Sequence, residues 1–164
     1  MILYHGTNCV IEKIDLDKCR PYKDFGKGFY LTTIKEQAEK MAKRVSKIYG
    51  GQPVVNFFRY DSVVDNGLNI KRFDSPTEEW ARFVINNRNG EKSAGDNNLD
   101  NKYDIVIGPV ANDDLALLFR QFSNGMIEID TLIREMKYKK LTDQYSFHSE
   151  KALRFLTKES DYNV

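Results

Sequence analysis

The pattern of apolar and polar positions divides the chain into short strands and amphipathic helices. Residues 2–5 and 28–32 are rich in aromatic side chains, and their pattern predicts a short strand in each segment. Residues 53–61 predict a third strand. The apolar, β-branched run at 103–110 predicts a buried strand, and the alternating side chains of residues 143–148 predict another.

Apolar residues at helical spacing lie between these strands. The capping box of residues 33–36 predicts a helix over about 34–48, which ends at Gly50 and Gly51. Residues 75–78 predict the start of a second helix, because a capping serine precedes a proline at the first helical position and a glutamate at the third. The inward positions are Ile34, Ala38, Met41, Ala42, Val45 and Ile48 in the first helix, and Trp80, Phe83 and Val84 in the second.

Three further helices are predicted in the second half of the chain. Asn112 is placed to cap one of them, and Ser149 is placed to cap the last. Their inward positions are Leu115, Leu118, Phe119 and Phe122, then Ile129, Leu132, Ile133 and Met136, then Ala152, Leu153 and Leu156. The low-complexity segment at about 86–102 predicts a solvated polar loop. Because strands and helices mix without a regular βαβ period, residues 1–164 are expected to form a single α+β domain.

Composition narrows the class of protein. The chain has 164 residues, 41% of them hydrophobic, which is enough for one domain with a real core. Its 25 Lys and Arg balance 24 Asp and Glu, so overall charge gives no attraction to nucleic acid or membranes. We find neither a signal-peptide pattern nor an apolar run of about 18 residues, so we expect a cytoplasmic protein with no membrane partner. Cys9 and Cys19 are expected to be reduced structural thiols, and two histidines make a histidine-based metal site improbable.

Two glycine-containing patterns hold the candidate functional residues. In the first, Gly6 can present its backbone N–H and C=O to a planar amide, flanked by the ring of His5 and the hydroxyl of Thr7. In the second, residues 25–30, Tyr30 leaves a glycine turn and can stack on a flat heterocycle. The alternative interpretation is that these are turn glycines with a core tyrosine and a satisfied histidine.

In this order, the two patterns resemble the catalytic domain of the ADP-ribosyltransferase superfamily, in its diphtheria-toxin-like and poly(ADP-ribose) polymerase-like branch. Residues 4–7 (Tyr-His-Gly-Thr) resemble the first motif of that branch, and residues 25–31 (Phe-Gly-Lys-Gly-Phe-Tyr-Leu) resemble the second. Residues 143–147 resemble the third, usually Asn-Glu-Tyr, with Gln144 in place of the glutamate. Together with residues 79–80 and 103–113, the chain looks similar to a family of small, largely uncharacterised bacterial proteins of that superfamily.

The resemblance implies a split mixed β-sheet with flanking helices, and NAD⁺ as substrate without a metal. His5 would bind the adenosine-side ribose, the Gly6 backbone the nicotinamide carboxamide, and Thr7 would support the ribose region. Tyr30 would stack on nicotinamide, and Gln144 would contact a hydroxyl of the nicotinamide ribose. The implied catalytic set is His5, Tyr30 and Gln144, and the implied cofactor-binding set is His5, Gly6, Thr7, Gly28, Tyr30, Ala38 and Met41.

Two departures from the family pattern affect this expectation. Gln144 is neutral, so it can orient a hydroxyl but supplies no full negative charge to a developing cation. Ala38 and Met41 take the positions of a serine and a second stacking tyrosine, which predicts a less polar nicotinamide pocket. Met41 fits equally well as a pocket residue or as a plain core residue.

Other polar residues compete for a role. Glu79 is a candidate to supply the missing carboxylate, whereas Glu78 is explained as part of a helix cap. Asp104, Asp113 and Asp114 flank a buried strand and fit a helix N-terminus better than a ligand site, and His148 has no evident partner. A basic run before the third motif fits an acceptor that carries phosphate, or a solvated helix face; it comprises Arg134, Lys137, Lys139 and Lys140.

The leading prediction is an NAD⁺-dependent ADP-ribosyltransferase that cleaves the nicotinamide–ribose bond and transfers ADP-ribose to a protein or nucleic acid acceptor. Two alternatives stay open: a catalytically degenerate protein that binds NAD⁺ or ADP-ribose, and an NAD⁺ glycohydrolase. By analogy with small bacterial members of the superfamily, a toxin with an antitoxin protein as partner is also expected.

Overall fold

A computed structural model describes residues 1–62, 67–110, 113–137 and 142–164. Its strands are β1 (Ile2–Thr7), β2 (Phe29–Leu31), β3 (Val54–Tyr60), β4 (Ile70–Arg72), β5 (Ile105–Pro109), β6 (Asp143–Phe147) and β7 (Leu156–Asn163). Its helices are α1 (Lys35–Tyr49), α2 (Glu78–Asn89), α3 (Asp113–Ser123), α4 (Ile129–Met136) and α5 (Glu150–Leu153), with a 3₁₀ turn at Leu16–Lys18. None of these helices is long and apolar enough to cross a membrane.

The strands form two sheets in an α+β arrangement, as the sequence predicts. One sheet has the order β1-β3-β7 and is antiparallel throughout. The other has the order β2-β6-β5-β4, in which only the β4–β5 pair is parallel. The sheets meet at a single bridge between Tyr4 of β1 and Thr32, just after β2. Among the described residues, the backbones of the two sheets therefore pair at this bridge alone, although their side chains share a core.

The core lies on both sides of the second sheet. The side chains of Trp80, Phe83 and Val84 in α2 are buried against α3 and α4, as predicted. Across the sheet, Phe147 and Ile105 pack with residues of β1, β2 and β3. The helix α1 buries only Ala38 and Ala42, which pack against β3. The small inward residues of α1 let this helix lie close to the first sheet.

Two of the predicted helix starts, those of α1 and α2, are wrong in detail. Thr33 does not cap α1: its hydroxyl donates to Asp143, and Ile34 takes the N-cap position without a side-chain bond. Thr77 caps α2 in place of the predicted serine, because its hydroxyl accepts from the backbone N–H of Trp80. Ser149 does cap α5, as predicted. The predicted cap Asn112 lies outside the described residues.

The C-terminal segment also differs from the prediction. The last helix ends at Leu153, and Leu156 begins strand β7 instead of facing inward from a helix. Strand β7 pairs with β3 along the edge of the first sheet and includes many charged and polar residues. That composition is typical of a protected edge strand, which is why alternation of apolar residues does not reveal it.

The polar segment at about 86–102 is better anchored than a solvated loop. Its first residues belong to α2, and the buried Asn87 accepts a hydrogen bond of 2.8 Å from the backbone N–H of Asn98. Asn98 in turn accepts from the backbone N–H of Tyr103 at 2.9 Å. Asparagine side chains thus replace regular secondary structure as partners for this backbone.

Candidate functional site

A large cleft lies beside the bridge between the two sheets. It encloses about 930 Å³ and lies between β1, β2, the start of β6 and the helix α1. The eight predicted site residues all line it: His5, Gly6, Thr7, Gly28, Tyr30, Ala38, Met41 and Gln144. Segments far apart in the chain are therefore brought to one cavity.

Gly6 lies where β1 leaves its bridge to β2. The backbone N–H and C=O of Tyr4 bond to Thr32 across the bridge, at 2.8 and 3.0 Å. Because residues two apart in a strand direct their polar groups to the same edge, the N–H and C=O of Gly6 face the gap. A Cβ at Gly6 would lie 1.8 Å from the backbone oxygen of Ala38 in α1. Glycine at this position therefore permits helix packing and leaves one donor and one acceptor at the cleft edge.

His5 is held beside the cleft as a neutral ring. Its Nδ1 lies 2.7 Å from the carbonyl oxygen of Tyr30, and its ring stacks on Phe29 at 4.4 Å between centroids. Burial lowers the pKa of His5 from 6.5 to about 4, so the ring is uncharged near neutral pH. A carbonyl only accepts, so Nδ1 carries the proton and Nε2 is left as an acceptor. Among the described residues, no donor bonds to Nε2.

Tyr30 closes the glycine loop with its hydroxyl. The hydroxyl donates to the carbonyl of Gly26 at 2.7 Å and accepts from the backbone N–H of Phe25 at 2.9 Å. Gly26 has a φ of +92°, which favours glycine. Burial raises the pKa of Tyr30 well above its usual value, so the hydroxyl stays protonated. The ring still borders the cleft, where the ammonium of Lys23 lies 4.7 Å from its centroid.

Gly28 permits the second motif to lie against the end of β6. A Cβ there would come within 2.5 Å of Nδ1 of His148. His148, for which the sequence suggests no partner, bonds to the carbonyl of Lys27 at 2.8 Å and to the hydroxyl of Ser146 at 2.8 Å. It is buried, and that burial lowers its pKa from 6.5 to about 4. His148 is therefore a structural residue beneath the glycine loop.

Gln144 is buried at the inner end of the cleft and belongs to a polar group that the sequence did not reveal. Its Nε2 donates to Oδ2 of Asp24 at 3.3 Å. The other carboxylate oxygen of Asp24 accepts from Nε of Arg88 at 2.8 Å and lies 2.7 Å from Nη2 of the same guanidinium. The three side chains come from the loop before β2, from α2 and from β6.

The helix α1 forms one wall of the cleft. Ala38 is buried and contributes mainly backbone, whereas the side chain of Met41 is 46% exposed. The exposure of Met41 excludes the core alternative and makes it a cleft residue. Thr7 lies near the entrance, where its hydroxyl donates to Asn8 at 3.3 Å.

The cleft rim has an excess of positive charge, which the sequence analysis missed: five cations line the cleft against two carboxylates, those of Glu12 and Asp15. Arg20 donates to the hydroxyl of Tyr49 at 2.6 Å, and its guanidinium lies 4.6 Å from the centre of that ring. This contact joins the loop after β1 to the end of α1. The cations along the rim are Lys13, Lys18, Arg20, Lys23 and Arg44. Four of them fall between the two glycine motifs, where four acidic residues also occur, so residue counts in that segment give no signal of a basic rim.

The competing candidates lie elsewhere. Glu79 does not reach the cleft, because it pairs with Lys71 on the surface. Glu78 does not cap α2 but pairs with Arg82 one turn along the helix. Asp104 accepts hydrogen bonds from the backbone of residue 69 and from Ser149, which is a structural role. Asp114, Arg134 and Lys137 are exposed and do not line the cleft.

Several predicted candidates cannot be placed. Lys139 and Lys140 lie outside the described residues, as does the side chain of Asp113. Within the described ranges, no group of three or more His, Cys, Asp or Glu side chains could hold a metal ion. Cys9 and Cys19 are free cysteines, as expected.

Comparison with known proteins gives a family but no activity. No curated protein matches the chain, and no solved structure matches it. One family model matches residues 1–157, and its description is a protein of unknown function, DUF3990. The chain therefore belongs to the DUF3990 family.

Proposed function

We propose that the protein is an NAD⁺-dependent ADP-ribosyltransferase whose split β-sheet resembles that superfamily's fold. The observation that carries the proposal is the free polar edge of Gly6, which lies in the same cleft as Tyr30 and Gln144. A backbone N–H and C=O side by side complement the oxygen and nitrogen of a carboxamide. The nicotinamide group carries such a carboxamide on a flat ring.

The other cleft residues support the remaining parts of NAD⁺. The unprotonated Nε2 of His5 suits a ribose hydroxyl as donor. The basic rim suits the diphosphate, since several cations at one cleft attract a dianionic group. Tyr30 offers a ring face for stacking once the side chain of Lys23 moves off it.

The proposed reaction is dissociative. The bond between the nicotinamide nitrogen and the ribose carbon breaks, its electron pair leaves with nicotinamide, and an oxocarbenium-like ribose develops. Gln144 accepts a hydrogen bond from a hydroxyl of that ribose, which favours the electron-poor sugar. An acceptor nucleophile then bonds to the ribose carbon and loses its proton. We propose a protein or nucleic acid acceptor, and a toxin role that a cognate antitoxin protein restrains.

The test follows NAD⁺ labelled in its adenylate part, with and without cell extract. Free nicotinamide and the position of the label are measured for the wild type, His5→Ala and Tyr30→Ala. Tyr162→Ala is a matched tyrosine control, because Tyr162 packs on Phe57 outside the cleft. Nicotinamide release that is lost in the two cleft variants and kept in the control supports the proposal.

The destination of the label separates the activities. Label on macromolecules supports transfer, and free ADP-ribose as the sole product indicates a glycohydrolase. Saturable NAD⁺ binding without release indicates a degenerate binding protein, the alternative that the neutral Gln144 motivates. No binding and no release would refute the proposed substrate.

A further inference from the structure

The polar group beneath the cleft links Gln144 to two charged side chains. Asp24, only 9% exposed, accepts from Nε2 of Gln144 at 3.3 Å and forms an ion pair with Arg88. The backbone of Asp24 is also fixed, since Nδ2 of the buried Asn87 donates to its carbonyl at 3.1 Å. Two consecutive residues of α2 therefore hold Asp24, one through its backbone and one through its side chain.

This arrangement decides which end of the Gln144 amide faces the cleft. An ionised carboxylate has no proton to donate, so the amide nitrogen must face Asp24. The amide oxygen Oε1 then points away from Asp24. Within the described part of the chain no donor bonds to Oε1, and Gln144 lines the cleft. Without Asp24, the Gln144 amide could direct either its nitrogen or its oxygen to a ligand. With Asp24 bound to the nitrogen, only the oxygen is available.

We propose that Asp24 is a positioning residue that fixes the Gln144 amide with its oxygen toward the cleft, as an acceptor for a substrate hydroxyl. The inference rests on the proposed function, because the hydroxyl is that of the ribose next to nicotinamide. Arg88 balances the charge of Asp24, so the pair orients the amide and adds little net charge to the cleft.

The same geometry makes the residues at 24 and 144 a matched pair. In Q144E, two carboxylates would meet at the distance that now separates an amide from a carboxylate, and like charges at such a separation repel. In the double variant D24N/Q144E, an amide again faces a carboxylate, with donor and acceptor exchanged. Each single change should therefore be harmful and the exchange should restore function.

The experiment compares four proteins: wild type, Q144E, D24N and D24N/Q144E. Nicotinamide release from NAD⁺ gives kcat and KM, and urea unfolding at pH 5 and pH 8 gives stability independently of activity. We expect each single variant to lose about tenfold or more in kcat with a smaller change in KM, since the oriented contact matters most in the transition state. The double variant should recover most of the loss, so the coupling between the two changes should approach about a hundredfold, which is the product of the two tenfold losses.

The controls separate this inference from the proposed function. A wild type that releases no nicotinamide refutes the proposed function whatever the variants do. An active wild type with additive losses in kcat overturns the positioning role of Asp24, even if the stabilities are coupled. R88Q, which leaves Asp24 without its strong partner, should lower kcat less than D24N does; a larger loss in R88Q would assign the role to Arg88.

Discussion

The hydroxyl of Tyr30 should contribute measurably to stability, apart from any role of its ring. Tyr30→Phe removes the oxygen that accepts from Phe25 at 2.9 Å and donates to Gly26 at 2.7 Å. It leaves a backbone N–H and a C=O without partners near the buried Phe25. Each net hydrogen bond is worth about 1 kcal/mol, and an unsatisfied buried group costs about 1–3 kcal/mol. We therefore expect a loss of about 2–4 kcal/mol in the free energy of unfolding.

Urea unfolding followed by circular dichroism measures this loss, with Tyr162→Phe as the matched control. Tyr162 also loses a hydroxyl hydrogen bond, at 2.6 Å to Glu39, but that glutamate is partly exposed and water can replace the bond. The control should cost about 1 kcal/mol or less. Equal losses of unfolding free energy in the two variants, or a loss below about 1 kcal/mol in Tyr30→Phe, would refute the conclusion that the Tyr30 hydroxyl stabilises the glycine loop.

Three more changes test the cleft. Gly6→Ala should destabilise the protein by about 1–3 kcal/mol or more in urea unfolding, because its Cβ would meet the carbonyl oxygen of Ala38 at 1.8 Å; an unchanged midpoint would contradict this packing. Stability should fall as pH drops from 6.5 to 4, because His5 and His148 have folded pKa values near 4 and the unfolded chain binds more protons in that window. Each histidine contributes at most roughly 3 kcal/mol, and thermal melts of His5→Gln across that range should show a shallower fall than the wild type. Because Met41 is exposed, Met41→Ala should change the free energy of unfolding by less than about 0.5 kcal/mol. The same variant should bind nicotinamide more weakly in calorimetry. A large loss of stability would instead show that Met41 is a core residue.

The sequence predicts the elements whose periodicity reflects burial. Helix α2 is recovered because Trp80, Phe83 and Val84 are all buried, and β5 because its five residues are buried. The residues of the three motifs also line one cleft, since short motifs at strand ends are brought together when those strands pair. Burial periodicity and short motifs are both local features of the sequence, so they can be recognised without knowledge of the tertiary contacts.

The features that were missed depend on contacts between distant segments. Strand β7 is polar at the sheet edge, so pairing with β3 and not burial makes it a strand. Asp24 belongs to no local motif. Its structural role depends on its contacts with Arg88, 64 residues away, and with Gln144, 120 residues away. No periodicity can report such a pairing. Local sequence also gives no sign of the contact at Asp143. This residue accepts a hydrogen bond from the hydroxyl of Thr33, so Thr33 is not available to cap α1 as predicted.

The cleft forms because β1 pairs with two different partners, strand β3 on one edge and the segment after β2 on the other. Its pairing with β3 runs along the whole strand, whereas its backbone pairing with the described part of the second sheet is limited to Tyr4. Buried backbone polar groups need partners, so the next free N–H and C=O on that edge, those of Gly6, create a demand for a ligand or water that offers both an acceptor and a donor. The absent Cβ of Gly6 also lets α1 approach, which brings Met41 to the same opening. One glycine thus sets both the polarity of the cleft edge and the position of its apolar wall, and these are the two features on which we base the proposal of a flat ring that bears a carboxamide.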